Sequence, residues 1–295
     1  IDLQTVKAAG VTYVRSMLER VVEERCRGDA TQAEAVRAEF RAIIGDDLTA
    51  IIPGSAEAMR LKAALLAKGW WSQYLEVGIG PDAEIFTKCP AMASVGTGSK
   101  IGVHPVSAWS NPEPEAVMVV NSKGRIQGAT LGNDVNLRDV EGRSALLLGR
   151  AKDNNASAAL GPMIRLFDAG FTLEDVRRAE LSLSITGRDG FELAESGAVG
   201  AISRDPADVV AQMIGAHHQY PDGAVLYLGT PFSPAKDRGA PGMGFTHHEG
   251  DVVRIESARL GVLVNEVDRT DECPPWRYGI GALFASLAAR GLPRP

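Results

Sequence analysis

An α+β fold with a largely non-parallel sheet is what this sequence predicts, and two observations predict it. From about residue 84 onward, short β-type runs alternate with Gly, Pro and Asn, with few helical stretches between them. That texture disfavours a doubly wound parallel sheet. Ahead of it, residues 1–70 carry apolar side chains at helical spacing. A length of 295 residues, 45% hydrophobic and 23% charged, allows one large domain or two unequal ones around a core of ordinary size.

The helical lead reads in three pieces. Val14, Met17, Leu18, Val21 and Val22 recur at helical spacing as far as Gly28-Asp29. Thr31 with Glu34 forms a capping-box pair, and Val36, Phe40, Ile43 and Ile44 carry the stripe on to Gly45. Ser55 opens a third stretch through Met59, Ala63 and Leu66. None of the three holds a chemical motif, and solvated faces on core-packing helices account for their charges. The strands follow as Val117–Val120, Arg125–Leu131, Leu181–Thr186, Phe191–Leu193, Val225–Leu228, Val252–Ile255 and Gly261–Val267. Asn121-Ser122-Lys123-Gly124 reads as a hairpin loop with Gly in the left-handed position. Asp205 is a helix N-cap for Val209, Val210, Met213 and Ile214, and Ala282–Ala289 is a last helix after the Pro274-Pro275 break.

Lys and Arg number 31 against 37 Asp and Glu, a net charge of −6. That balance argues against a general phosphate-backbone binder, so no nucleic-acid partner is expected. No apolar run approaches the roughly 20 residues that span a bilayer, so no membrane partner is expected either. The three cysteines, Cys26, Cys89 and Cys273, are scattered without CxxC spacing. They suit a reducing, cytoplasmic setting rather than a disulfide framework or thiolate zinc site. The chain opens at Ile1 with neither a charged nor an apolar leader, which leads to the expectation of an N-terminal region upstream.

The strongest local motif is Glu113-Pro114-Glu115, entering a strand. Residues i and i+2 of an extended chain share a face, so the two carboxylates converge and repel unless a cation sits between them. Asp134, at the far end of the returning hairpin strand, is placed to join them. Two Glu and one Asp without Cys or His make a hard oxygen set, suited to Mg²⁺, Mn²⁺ or Ca²⁺. A solvated loop is the bland alternative. In Gly132–Asp139, alternation puts Asp134 and Arg138 on similar faces. Arg138 either pairs with Asp139 or Glu141 or clamps a substrate carboxylate. Lys152 lies in the polar run Lys152–Ser157, between two apolar stretches, which lines a cleft or forms a surface loop. Gly229-Thr230-Pro231 ends a strand as a carboxylate-binding corner or a common turn. Of five histidines, His217 and His218 are expected to cap a helix C-terminus, while His247-His248 lies in a Gly-rich loop that can line a site.

Taken in order, Glu113-Pro-Glu115, Gly132-Asn-Asp134 with Arg138-Asp139, Lys152, Leu160-Gly161-Pro162, Gly229-Thr230-Pro231, Gly250-Asp251-Val252-Val253 and Gly261-x-Leu263-x-Asn265 closely resemble the fumarylacetoacetate hydrolase superfamily over about residues 84–270. The resemblance implies a mixed β-sandwich roll, usually a homodimer. It implies a divalent metal held by Glu113, Glu115 and Asp134, with Lys152 at the substrate oxygens and Arg138 and Thr230 at the substrate. The superfamily's C–C hydrolases usually carry a His–Glu pair in a lid ahead of the EPE motif; here no histidine precedes His104. Asp82–Lys88, Trp109–Glu113 and Gly149–Asn155 look more like its 2-keto-3-deoxy sugar-acid dehydratases.

The expectation is therefore a helical N-terminal segment over 1–75 and a β-rich catalytic domain over 76–295. The activity expected is that of a metal-dependent lyase, dehydrating a 2-keto-3-deoxy-pentonate of the D-xylonate or D-arabinonate type to 2-oxoglutarate semialdehyde in pentose catabolism. Glu84 is the expected lid acid/base, with Glu76 as runner-up, and Lys152 the group assisting at the enolate. The competitors are a C–C hydrolase of an acylpyruvate or 2,4-diketo acid and a non-catalytic binding member of the fold.

Overall fold

The computed structural model describes residues 1–13, 17, 21, 25, 33–44, 51–234, 236–238 and 244–292. Its strands, in chain order, are β1 (Thr5–Gly10), β2 (Glu84–Cys89), β3 (Lys100–Val103), β4 (Ser110–Asn111), β5 (Pro114–Val120), β6 (Ile126–Asp134), β7 (Asn136–Leu137), β8 (Ala158–Leu160), β9 (Arg165–Leu166), β10 (Glu180–Thr186), β11 (Glu192–Ala198), β12 (Ala224–Tyr227), β13 (Val252–Ser257) and β14 (Gly261–Arg269). The larger sheet runs β2-β1-β12-β5-β6-β8, with β9 on β6. The smaller runs β11-β10-β13-β14-β3, and β4 pairs with β7 apart from both. β1–β12 and β14–β3 are parallel; the pairings β5–β6, β10–β11 and β13–β14 are antiparallel, as hairpin-type connections require. This is the mixed-sheet α+β architecture the sequence predicts.

The main core lies between the two sheets. Ala9, Ala116, Met118, Leu131 and Leu226 of the larger sheet pack on Leu181, Leu183, Ile185, Val253, Ile255 and Leu263 of the smaller. Alternation sends the remaining side chains of the larger sheet the other way. There Val6, Ala8, Val117, Val225, Tyr227, Ala158 and Leu160 form a second cluster, against which Phe86 packs. β5 is buried along almost its whole length, and its run Ala116–Val120 is accordingly continuous in apolar residues rather than alternating. Tyr227 crosses the second face and donates its hydroxyl to the Ala159 carbonyl at 2.6 Å. Gly132 leaves the room for it: a Cβ there would meet Val117 at 2.6 Å and the Tyr227 ring at 2.8 Å.

The lead departs from its expectation at one end. Thr5–Gly10, inside the stretch read as helical, is a strand, paired on one side with β12 and on the other with β2. Thr5-Val6-Lys7-Ala8 alternates with period two, and two sheet edges are available to take up its backbone groups. The helix Ala56–Ala67 is as expected, with Ser55 accepting from the Ala58 N–H at 3.1 Å. A helix Ala33–Ile44 is present, while its expected cap Thr31, together with Val14, Leu18, Val22 and Cys26, lies outside the described residues. Met17, Val21, Phe40, Leu65, Trp70, Leu75 and Ile79 form a separate helical core. Buried Arg204 joins that core to the sheets by donating to the carbonyls of Val77 (2.8 Å), Gly80 (2.7 Å) and Asp82 (3.2 Å), just ahead of β2.

Gly124 closes the β5–β6 hairpin at φ 74°, as its place in the loop predicts. Asp205 caps the helix Pro206–Met213, and Ile280–Ala289 is the last helix. His217 and His218 do not cap it: the helix ends at Met213, and His218 instead bridges back to Gly215 and packs its ring on Tyr220. Ile214 adopts an extended backbone, which turns the chain away before the imidazoles reach the helix end. No helix among the described residues is long and apolar enough to cross a membrane.

Gly132→Ala should lower the unfolding free energy by about 1–3 kcal/mol through overpacking against Tyr227 and Val117. Denaturant titration followed by far-ultraviolet circular dichroism checks it.

Candidate active site

The β5–β6 hairpin carries the site. Pro114 faces Asn133 and Glu115 faces Gly132 in the antiparallel register. Directly opposed residues share a face, so Glu115, Gly132 and, two residues on, Asp134 project to the same side, together with Glu113. The three carboxylates bring oxygens within 4.8 Å of one another. They are 8%, 1% and 2% exposed for Glu113, Glu115 and Asp134, so water cannot neutralise their mutual repulsion. Pro114 opens β5, where its missing N–H costs the sheet least. The backbone is pinned around it: the Glu113 N–H donates to Asn133 Oδ1 at 3.1 Å and the Asp134 N–H to the Glu113 carbonyl at 3.0 Å.

Two lysines answer the charge. Lys152, the last residue of the helix Leu148–Lys152, donates its ammonium to Glu113 Oε2 at 2.5 Å and to Asp134 Oδ2 at 3.0 Å. Lys88 comes from β2, is fully buried, and pairs with Asp134 Oδ1 at 2.8 Å. It also donates to the carbonyls of Val135 (3.0 Å) and Lys152. Lys88 thus sits on the C-terminal carbonyl of the helix that delivers Lys152, a favourable place for a cation. Neutral donors complete the shell: the Gly229 N–H reaches Glu115 Oε2 at 2.6 Å, and Asn136 Nδ2 reaches Glu113 Oε1 at 3.1 Å.

Electrostatics follow from this burial. Burial raises the Glu113 carboxyl above its ordinary range, against the pull of Lys152, and the Asp134 and Glu141 charges add to the rise. Burial raises Glu115 further, reinforced by Asp134 and Glu113. Burial alone would depress Lys152, yet the Asp134 and Glu113 carboxylates outweigh it and hold that ammonium above its usual value. Lys88 is lowered, because its desolvation exceeds the attraction of Asp134. Fully ionised, three carboxylates outnumber the two ammonium groups, and the rise of Glu113 and Glu115 is the resistance of the buried site to that surplus. An all-oxygen donor set with that surplus is what a hard divalent cation requires, so the residues present fit such an ion.

The other expected residues are placed as follows. Glu84 opens β2 opposite Gly10, on the same sheet face as Phe86 and Lys88, and so on the face that bears the triad. Glu76 lies in the lead helix Gln73–Ile79 and is held by Lys62 (2.6 Å) and the Trp71 indole (2.7 Å). Its carboxyl is lowered, chiefly by the Lys62 bond, which suits a standing anion rather than a proton carrier. The Arg138 guanidinium stacks on Trp109 at 4.4 Å, while Asp139 accepts from Ser107 Oγ (2.5 Å) and the Ala108 N–H (2.9 Å). The Thr230 hydroxyl lies within hydrogen-bonding distance of the Pro114 (3.1 Å) and Phe232 (2.6 Å) carbonyls, which sets it beside the EPE turn. His247 is buried next to Asp251, which Arg238 grips with two hydrogen bonds (2.6 and 2.8 Å). Sequence reasoning assigned no role to Lys88 or Asn136. The available signal for Lys88 was the alternation Glu84, Phe86, Lys88 on one strand face; for Asn136 there was none.

The stretch of chain that carries these residues has known relatives. The family described as fumarylacetoacetate (FAA) hydrolase C-terminal matches residues 81–268. The chain is 30% identical over 186 residues to a 2-dehydro-3-deoxy-D-arabinonate dehydratase of Saccharolobus solfataricus, covering 63% of this chain and 59% of that protein. It is 31% identical over 194 residues to a probable 2-keto-3-deoxyxylonate dehydratase of Haloferax volcanii, covering 66% and 63%. The match therefore spans about three-fifths of the curated relatives' length. Among solved structures, a 2-keto-3-deoxy-D-arabinonate dehydratase complexed with magnesium and 2,5-dioxopentanoate superposes with a TM-score of 0.63 at 23% identity, over 91% of this chain and 74% of that one. That likeness shows a shared fold.

The raised carboxyls predict a pH dependence. The folded, ion-stripped protein holds protons on Glu113 and Glu115 that the unfolded chain releases in the ordinary carboxylate range. Stability therefore falls as pH rises from that range toward neutrality, because the native state then binds more protons than the unfolded one. Melting temperatures in chelator across pH 4–7 should show this decline, and added Mg²⁺ should flatten it.

Proposed function

The chain belongs to the fumarylacetoacetate hydrolase family, and from that premise we propose that it is a divalent-metal-dependent dehydratase of a 2-keto-3-deoxy-pentonate, of the D-xylonate or D-arabinonate type. The product is 2-oxoglutarate semialdehyde. The observation that carries this reading is the buried triad of Glu113, Glu115 and Asp134 with Lys152 across two of its members, on the sheet face that also bears Glu84. The dehydratase names of the two curated relatives support the choice of reaction.

Glu113, Glu115 and Asp134 are assigned to hold the cation, which when bound draws electron density from the C2 carbonyl oxygen of a 2-keto acid and so acidifies the C3 protons. Magnesium is the first choice, given the hard donor set and the magnesium in the dehydratase of like fold, with Mn²⁺ or Ca²⁺ as substitutes. Lys152, kept charged by its two carboxylates, presents an ammonium where negative charge develops at the C2 oxygen. A lysine held protonated is a poor Schiff-base nucleophile, so its part is electrostatic. Glu84 takes the C3 proton and returns one to the departing C4 hydroxyl. The C3–H and C4–O bonds break, a C3=C4 bond forms, and water leaves. Hydrogens at C5 and its oxygen then pass to C3 and C4, which gives the aldehyde. Arg138 and Thr230 are assigned to the substrate, the first as a carboxylate clamp braced on Trp109.

The same reading takes residues 76–295 as the catalytic part and 1–75 as a largely helical lead. It makes the protein a cytoplasmic homodimer or higher homo-oligomer in pentose breakdown. The buried free thiols of Cys89 and Cys273 support a reducing compartment.

Incubation of the Mg²⁺-loaded protein with a panel of 2-keto-3-deoxy acids, read by mass, should show loss of one water. Pyruvate release instead would establish a C–C hydrolase, and no turnover with no Mg²⁺ uptake a non-catalytic member of the fold. Glu113→Ala and Asp134→Ala should each abolish metal-dependent turnover, with loss of Mg²⁺ binding by calorimetry.

A further inference from the structure

We propose that Gly10 is a positioning residue for Glu84, kept free of a side chain so that the acid/base carboxylate can lie across β1 toward the triad; this rests on the assignment of Glu84 above. Gly10 and Glu84 are direct partners in the β1–β2 register and share a face. A Cβ built on Gly10 would fall 2.7 Å from the Glu84 carboxyl carbon and 3.4 Å from its Cγ. The Glu84 side chain therefore lies down over the Gly10 backbone instead of standing off the sheet as strand side chains ordinarily do.

The direction of that lean gives it meaning. β1 separates β2 from β12, and β12 separates β1 from β5, which carries Glu115. The ends of β1 and β12 abut here: a Cβ on Gly229 would lie 3.3 Å from the Ala9 carbonyl, and Gly229 itself donates to Glu115. Lying over Gly10 carries the carboxylate from β2 onto β1, beside the Gly229 corner that bonds Glu115.

Gly10 has no left-handed backbone to explain it, because it is absent from the positive-φ residues. What it meets is the far end of a flexible side chain, not backbone or a packed ring. An alanine there displaces the carboxylate at little cost to the fold, which separates this glycine from Gly132.

The test compares Gly10→Ala, Glu84→Gln and the double variant in the Mg²⁺-loaded protein, with 2-keto-3-deoxy-arabinonate as substrate. Gly10→Ala should lower kcat on the order of 10²-fold, the cost of misplacing a reacting group by about an ångström. KM, Mg²⁺ affinity by calorimetry and the melting temperature should stay within error of the parent. The double variant should be no slower than Glu84→Gln, since the glycine acts through a carboxylate already gone. A Gly10→Ala enzyme of parental kcat beside an inactive Glu84→Gln would overturn the inference and leave the assignment of Glu84 standing. So would additive losses in the double variant, or a Gly10→Ala protein without a folding transition. A Glu84→Gln enzyme of parental kcat would instead remove the assignment itself.

Discussion

Three carboxylates buried within 4.8 Å of one another are the constraint on which the rest of this structure depends. Left alone, such a cluster would protonate or pull apart, because desolvation and like-charge repulsion act in the same direction. Two lysines hold it together, and each arrives from a different part of the chain. Lys88 comes with β2 and Lys152 with a short helix after β7. Because Lys88 bonds both to Asp134 and to the carbonyls of Val135 and Lys152, one ammonium fixes the end of β6 and the helix that brings the second ammonium. Arg204 holds the approach to β2 from the other side, through three backbone carbonyls.

The larger sheet serves two purposes by virtue of its period of two. One face supplies Ala116, Met118, Leu131 and Leu226 to the core between the sheets. The other carries an apolar floor, with Tyr227, Val117 and Phe86, and at one end of that floor the charged groups. A slip of β5 by one residue against β6 would drive Glu115 into the core, away from Asp134, and Met118 out of it. The penalty for burying carboxylates against Leu and Ile is large enough to specify the register strongly. The site and the sheet register are thus one problem with one solution, and Gly132 belongs to both, since its pairing with Glu115 sets the register and its bare Cα admits Tyr227.

Much of this was legible in the sequence because it is local. The i, i+2 spacing of Glu113 and Glu115 places them on one face whatever surrounds them, and the Asn121–Gly124 turn returns the chain to Asp134. The helix caps at Ser55 and Asp205 are likewise written in a few adjacent residues. What escaped depends on distant partners. Thr5–Gly10 becomes a strand only because β12 and β2, more than seventy residues away, offer it hydrogen bonds. Lys88 reads as an ordinary strand lysine until Asp134 and two carbonyls surround it. His217 and His218 were misplaced for the opposite reason: the helical pattern continued through Ile214, but that residue's extended backbone ended the helix first.

The charges also constrain what the site can accept. On the proposed reading, with the triad ionised around a cation, Glu113, Glu115, Asp134 and the base Glu84 set four negative charges against the two ammonium groups of Lys88 and Lys152. A divalent cation balances that excess, and a 2-keto acid then brings one carboxylate, which Arg138 is assigned to meet. A dicarboxylic substrate would leave an uncompensated negative charge in the same buried space, where such a charge is costly unless another cation meets it. Arg138, braced on Trp109, is assigned to the one carboxylate of a 2-keto acid, so the charge balance favours a monocarboxylate. Recognition of a small keto acid on this reading rests on Arg138 together with the same two lysines that keep the carboxylates together.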